Sequence, residues 1–213
     1  QNAELTIYDG KIIDESKSIV TSYSGGFVFF SINGGLDYNA FANIPSEIYC
    51  GMHIYNNYVY YANRQGLYYF AFNWSNPTTN PSISYINVDN YTNVFSVDGF
   101  NNRIFILKST SIDVYSIGTD YNDLIKENSI SISNIDNSTL KIKGFNEDVI
   151  IAKSDTNIYY TVDGGFNWNI FNITTLIPSI TAQDIKTINI HDENRSVISG
   201  NKLFIYSFDG FQN

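Results

Sequence analysis

Charge is scarce in this chain of 213 residues: only 15% are Asp, Glu, Lys or Arg, against roughly 25% in an average globular protein. Solubility therefore falls to Asn, Ser and Thr. Cysteine is nearly missing. Cys50 stands alone, which excludes an internal disulfide and any cysteine-based metal site, and it reads as a small buried apolar residue. The only histidines are His53 and His191; with no HxH or HExxH pair, neither a metal nor a cofactor is expected. No apolar run approaches the ~18 residues of a membrane-crossing helix, so no membrane insertion is expected. No signal peptide is expected within the sequence as it begins at Gln1, which could itself follow a cleavage. A net charge of −9, without any basic stretch, argues against nucleic acid as a partner.

What is present is apolar and aromatic: 43% hydrophobic residues and 16% aromatics, the composition of a folded chain. Short β-branched and aromatic runs alternate with Gly, Asn, Asp and Ser clusters, and no helical stripe interrupts them. A strand, a polar turn and a second strand recur from Ser18, Tyr58, Arg103, Asp148 and Arg195, roughly 40 to 47 residues apart, within the range of propeller blades. An apolar run precedes each pair: Leu5–Tyr8, Glu47–Ile54, Val94–Val97, Leu140–Lys143 and Ile185–Ile190. Fourth strands are expected at Tyr38–Phe41, Ser82–Val88, Ser129–Ile132 and Trp168–Ile173. The expectation is an all-β β-propeller array of about five four-stranded blades, at approximately 5–42, 47–90, 93–133, 139–174 and 184–213. Stacked blades cover each other's faces, which a single small sheet cannot do.

Two repeats share a turn after the third strand. One runs Thr161-Val-Asp163-Gly-Gly165-Phe-Asn-Trp168, the other Ser31-Ile-Asn33-Gly-Gly35-Leu-Asp-Tyr38. The first fits Ser/Thr-x-Asp-x-Gly-x-x-Trp and resembles the Asp box, or BNR repeat, of sialidase-type, sortilin-type and viral or secreted propellers. In the fifth repeat Ser207-Phe-Asp209 begins the motif; the second and third repeats lack it. The resemblance implies that the Asp side chain closes the turn on backbone N–H groups, that Gly165 takes a positive φ, and that Trp168 packs between sheets. The fifth repeat stops before a fourth strand, which reads as part of a larger propeller; a closed five-bladed ring is the alternative.

A sialidase needs three converging arginines. The three here, Arg64, Arg103 and Arg195, are assigned to opposite ends of the strands and read as ordinary turn residues. Asp14, Glu15, Asp192 and Glu193 read as solvated turn acids, not as a glycosidase pair. The chain is therefore read as a non-catalytic recognition or structural module of a virion, a cell surface or a secreted assembly. The alternative is part of a glycoside hydrolase whose catalytic residues lie outside this sequence. Four of the five turns between second and third strands carry a base: Arg64, Lys108, Lys153 and Lys202. In an acidic chain this suggests a mildly cationic face for an anionic glycan or an acidic protein surface. Trp74, in a loop-like segment, is a candidate sugar-stacking residue or the displaced aromatic of a degenerate turn motif.

Overall fold

The computed structural model describes residues 7–22, 27–43, 51–63, 66–77, 81–86, 94–133, 141–201 and 203–209. Cys50, Arg64 and Lys202 lie outside them. Each repeat pairs its strands in sequence order as an antiparallel meander. The first blade holds β1 (Ile7–Ile12), β2 (Ser18–Ser22), β3 (Phe27–Ser31) and β4 (Asn39–Asn43); the second holds β5 (Met52–Tyr55), β6 (Tyr58–Asn63), β7 (Gly66–Ala71) and β8 (Ser84–Ile86). The third comprises β9 (Val94–Phe100), β10 (Arg103–Lys108), β11 (Ser111–Ile117) and β12 (Leu124–Ser131). The fourth comprises β13 (Lys141–Gly144), β14 (Ile150–Ser154), β15 (Asn157–Thr161) and β16 (Asn169–Asn172). The fifth shows three strands among the described residues: β17 (Ile185–Ile190), β18 (Ser196–Gly200) and β19 (Phe204–Ser207). This is a five-bladed β-propeller fold.

Inner strands are buried on both faces, which explains why they do not alternate. Ile104, Phe105, Ile106 and Leu107 of β10 are fully buried, as are Ile150, Ile151 and Ala152 of β14. The chain divides into two compact units, 1–93 and 94–213. Within the first, Ile19, Val28 and Phe30 pack against Met52, Val59, Tyr61 and Phe70 of the next blade. The second has two such layers. Phe105, Leu107 and Val114 meet Ile142, Ile150 and Tyr159, and on the far side Ile151, Ile158 and Tyr160 meet Ile185, Ile188 and Ile198.

Three details differ from the sequence reading. Single turns of 3-10 helix occur at Ile173–Thr175 and Ala182–Asp184 where no helix is expected; Asn172 caps the first by accepting the Thr174 N–H at 2.9 Å. They are too short to carry a periodic pattern. The outer strand of the third blade starts at Leu124, earlier than Ser129, because β11 is long enough to pair with it over its whole length. The first strand runs on to Ile12, where Lys11 and Ile12 pair with Ile19 and Ser18.

Candidate functional site

The turns after β3 and β15 share one hydrogen-bond scheme. In the fourth blade the Thr161 hydroxyl donates to Asp163 Oδ1 (2.8 Å) and accepts the N–H groups of Asp163 (3.3 Å) and Gly165 (3.1 Å). Asp163 Oδ1 also accepts the Asn167 N–H at 2.9 Å. In the first blade Ser31, Asn33, Gly35 and Asp37 repeat these bonds at 2.9, 3.4, 2.9 and 3.1 Å. Gly34, Gly35, Gly164 and Gly165 all have positive φ, from +72° to +89°, which explains the Gly-Gly pair. The Asn167 backbone N–H is the main cause that holds the Asp163 carboxyl below its ordinary range. Trp168 joins the apolar layer between the third and fourth blades and donates its indole N–H to the Gly165 carbonyl at 2.9 Å. Tyr38, by contrast, stays exposed, with its hydroxyl 3.0 Å from Ser18 Oγ. Past β19, Ser207 Oγ and Asp209 Oδ1 begin the same scheme at 3.1 Å.

A second turn recurs in the same three blades, between first and second strands, where Asp14, Glu15, Asp192 and Glu193 are expected only as solvated turn acids. It runs Asp14-Glu-Ser-Lys17, Asn146-Glu-Asp-Val149 and Asp192-Glu-Asn-Arg195. In each, the first side chain accepts the N–H groups two and three residues on. The distances are 2.8 and 2.8 Å for Asp14, 2.9 and 2.7 Å for Asn146, and 3.0 and 2.9 Å for Asp192. These are Asx turns. Hydrogen bonds, led by the Lys17 side chain, hold the Asp14 carboxyl well below its usual range. Arg195, chiefly, lowers Asp192 to about 2. The two turns of a blade are tied: Gly34 N–H donates to the Ser16 carbonyl and Gly164 N–H to the Asp148 carbonyl, both at 2.9 Å. The signal that could have found this turn is Asp/Asn-Glu at a fixed distance before every second strand that leads into a hydroxyl-x-Asp/Asn motif.

In the 94–213 unit these turns are also fixed from the neighbouring blade. Arg103, at the start of β10, donates to the Glu147 carbonyl, to the Gly164 carbonyl (3.3 Å) and to Glu127, with Nε at 2.8 Å from Oε2. Tyr160 of β15 donates its hydroxyl to the Glu193 carbonyl. Burial, then Glu193 and Asp192, push Tyr160 up to about 12. Each clamp grips the carbonyl of the Glu that follows the Asx residue. Several apolar side chains are left outward here: Val162 is 45% exposed, Phe166 70%, Phe208 76% and Phe145 37%. An open cleft of about 510 Å³ lies between Phe145, Phe208 and the turn at 192–195. A second, of about 270 Å³, lies between Asp148, Val162 and the same Glu193–Asn194.

The expected ligand-binding cations are arranged differently. Lys153 is fully buried within β14, not displayed on a turn; a two-residue hairpin closed by the Ser154–Asn157 pair puts it one position inside the strand. Lys108 is paired with the buried Asp113 at 2.6 Å, and Lys126 reaches the same carboxylate at 3.2 Å. Burial alone would raise Asp113; bonds from Lys108 and Ser129 and the charge of Lys126 outweigh it and hold the carboxyl below its ordinary value. Trp74 packs edge-on against Phe72, ring centroids 4.4 Å apart, and is partly buried on the apolar layer of the 1–93 unit. His53 is buried in β5 and stacked on Tyr60. Arg195 folds back on Asp192 and Arg103 points to Glu127, so the two serve separate partners. Among the described residues no three His, Cys, Asp or Glu side chains are placed to hold a metal ion.

No family model matches the sequence, and no curated protein matches it. Solved structures do. The chain is similar to YCF48 bound to D1 peptide (TM-score 0.62, 9% identity, 98% of this chain and 65% of that one). It is similar to the Cps50 (Swd1) β-propeller domain of Myceliophteria thermophila (TM-score 0.64, 8% identity, 97% and 70%). It is also similar to the WD40 repeats of RRP9 (TM-score 0.60, 11% identity, 93% and 58%). At these identities the likeness concerns the fold, and the chain spans 65% of the first of them.

Proposed function

We propose that this chain is a non-catalytic recognition module that binds a protein partner through the turn-bearing end of its fourth and fifth blades. The observation that carries this reading is the set of apolar side chains on fixed turns, above all Phe208 and Phe145 beside the open cleft. Aromatic side chains in a pocket are the usual anchors of an interface. Turns already held by Asx bonds, Tyr160 and Arg103 have little conformational freedom left to lose on binding. One neighbour of the same fold, YCF48, is seen bound to D1 peptide. The hydroxyl–Asp/Asn–Gly-Gly turns are Asp boxes on this reading, supported by matching hydrogen bonds in the first and fourth blades. An anionic glycan at the other end of the strands has less support, because Lys153 is buried and Lys108 is occupied by Asp113.

The test is selection of a random peptide library on the intact protein, followed by affinity measurement with Phe145→Ser and Phe208→Ser. An enriched peptide family should bind at least about tenfold more weakly to the double variant, a loss of about 1.4 kcal/mol. Failure to enrich any family, or affinity unchanged in the double variant, would contradict the reading.

A further inference from the structure

Charge around the two clefts is mostly negative. Glu147, Asp148, Asp192 and Glu193 lie on the two Asx turns. Two arginines stand at this end among the described residues, Arg103 and Arg195, and both are paired internally, although Arg195 keeps 46% of its side chain exposed and His191 is exposed beside Asp192. Arg195 doubles back onto Asp192 through Nε and Nη2. Arg103 serves Glu127 and two carbonyls, and stands 3.9 Å from Asp148. Asp148 keeps 66% of its side chain exposed. Glu147 meets a neutral amide, Asn101 Nδ2, at 2.7 Å. Glu193 is exposed, and its backbone, not its carboxylate, is what Tyr160 grips. The cleft thus has aromatic walls and a carboxylate rim on a fixed backbone.

We infer that this cleft and the second one, which shares Glu193 and Asn194 with it, take a basic amphipathic polypeptide segment, with an apolar residue seated between Phe145 and Phe208 and a Lys or Arg beside Glu193 and Asp148. The inference rests on the recognition reading above and adds the chemistry of the partner. Charge complementarity carries it: like-charged contacts would be penalised, whereas a cationic segment gains steering and orientation. The net charge of −9 adds a long-range field of the same sign, which also disfavours an anionic membrane surface. Because the rim is exposed, its attraction should be sensitive to salt.

The experiment uses the intact chain and two labelled synthetic peptides with the same alternation of Leu and Phe, one with Lys and the other with Glu at every polar position. Fluorescence anisotropy should show the Lys peptide binding at least about tenfold more tightly at low salt, the gap closing near ~0.5 M salt. The pair Asp148→Asn and Glu193→Gln should weaken the Lys peptide alone, with an unchanged urea midpoint as the folding control. Equal affinity for both peptides, lost together in Phe145→Ser with Phe208→Ser, would overturn the charge inference and leave the recognition reading standing. Binding of neither peptide overturns the inference, and the library selection then judges the broader reading. Preferential uptake of the protein onto phosphatidylcholine vesicles would overturn it in favour of a lipid surface.

Discussion

Asn33 and Asp37 make the same side-chain hydrogen bond as Asp163 and Asn167, with the two residue types exchanged. In both blades an amide Nδ2 donates to a carboxylate Oδ2 four residues away, at 3.1 Å in the first and 2.7 Å in the fourth. The turn thus needs one amide and one carboxylate, in either order.

Asn33→Asp should set two carboxylates against each other and lower the unfolding free energy by about 1 kcal/mol. Adding Asp37→Asn should restore it by recreating the fourth-blade arrangement. Urea midpoints of the two single variants and the double give the coupling; additive losses would show that the pair is not a unit.

Arg103 holds three groups: the Glu127 carboxylate of its own blade and the Glu147 and Gly164 carbonyls of the next. Arg103→Lys should not replace it, since one ammonium cannot reproduce the planar fork. A loss of about 2 kcal/mol is expected, with faster hydrogen exchange at Gly164, whose N–H donates to Asp148. Unchanged exchange there would show that the clamp is idle.

Stability should depend on acid. Asp113 and Asp163 are held below their ordinary values and Asp192 at about 2. A carboxyl depressed in the folded state contributes in full above its unfolded pKa, near 3.9, and loses that contribution as pH falls through the folded value. The urea midpoint should therefore decline between about pH 4 and pH 2, and Asp113→Asn should flatten part of the decline. An equal slope in that variant would remove Asp113 from the account.

Trp74→Ala should act on folding. The indole lies edge-on to Phe72 at 4.4 Å against the first apolar layer, and truncation should cost about 2 kcal/mol, below the range for a fully buried Trp. A variant with native stability but weakened sugar binding would instead make Trp74 a ligand residue.

The fold was legible because burial on both faces leaves apolar inner strands such as Ile104–Leu107, and because the repeat is long enough to see. The Asp163 turn was legible because its residues are local, all bonded within four positions. The rest was hidden for physical reasons. Arg103 reads as a surface base because the Gly164 carbonyl it reaches is 61 residues away. Lys153 reads as a turn cation from its place beside a polar cluster, but Asp155 takes a left-handed φ of +51°, which tightens the hairpin and leaves the lysine inside the strand. Glu193 reads as a solvated acid, since only the packed blades show that Tyr160 grips its carbonyl.

The central claim is that recognition occurs at the end of the fourth and fifth blades that carries the Asx and Asp-box turns. Its most direct test is an amide chemical-shift titration of the intact, nitrogen-15-labelled protein with the peptide selected from the library. The account predicts that the largest shifts cluster at 145–149, 162–167 and 192–195. Shifts concentrated instead around Lys108–Ser111 and Ser154–Asn157, at the other end of the strands, would contradict it.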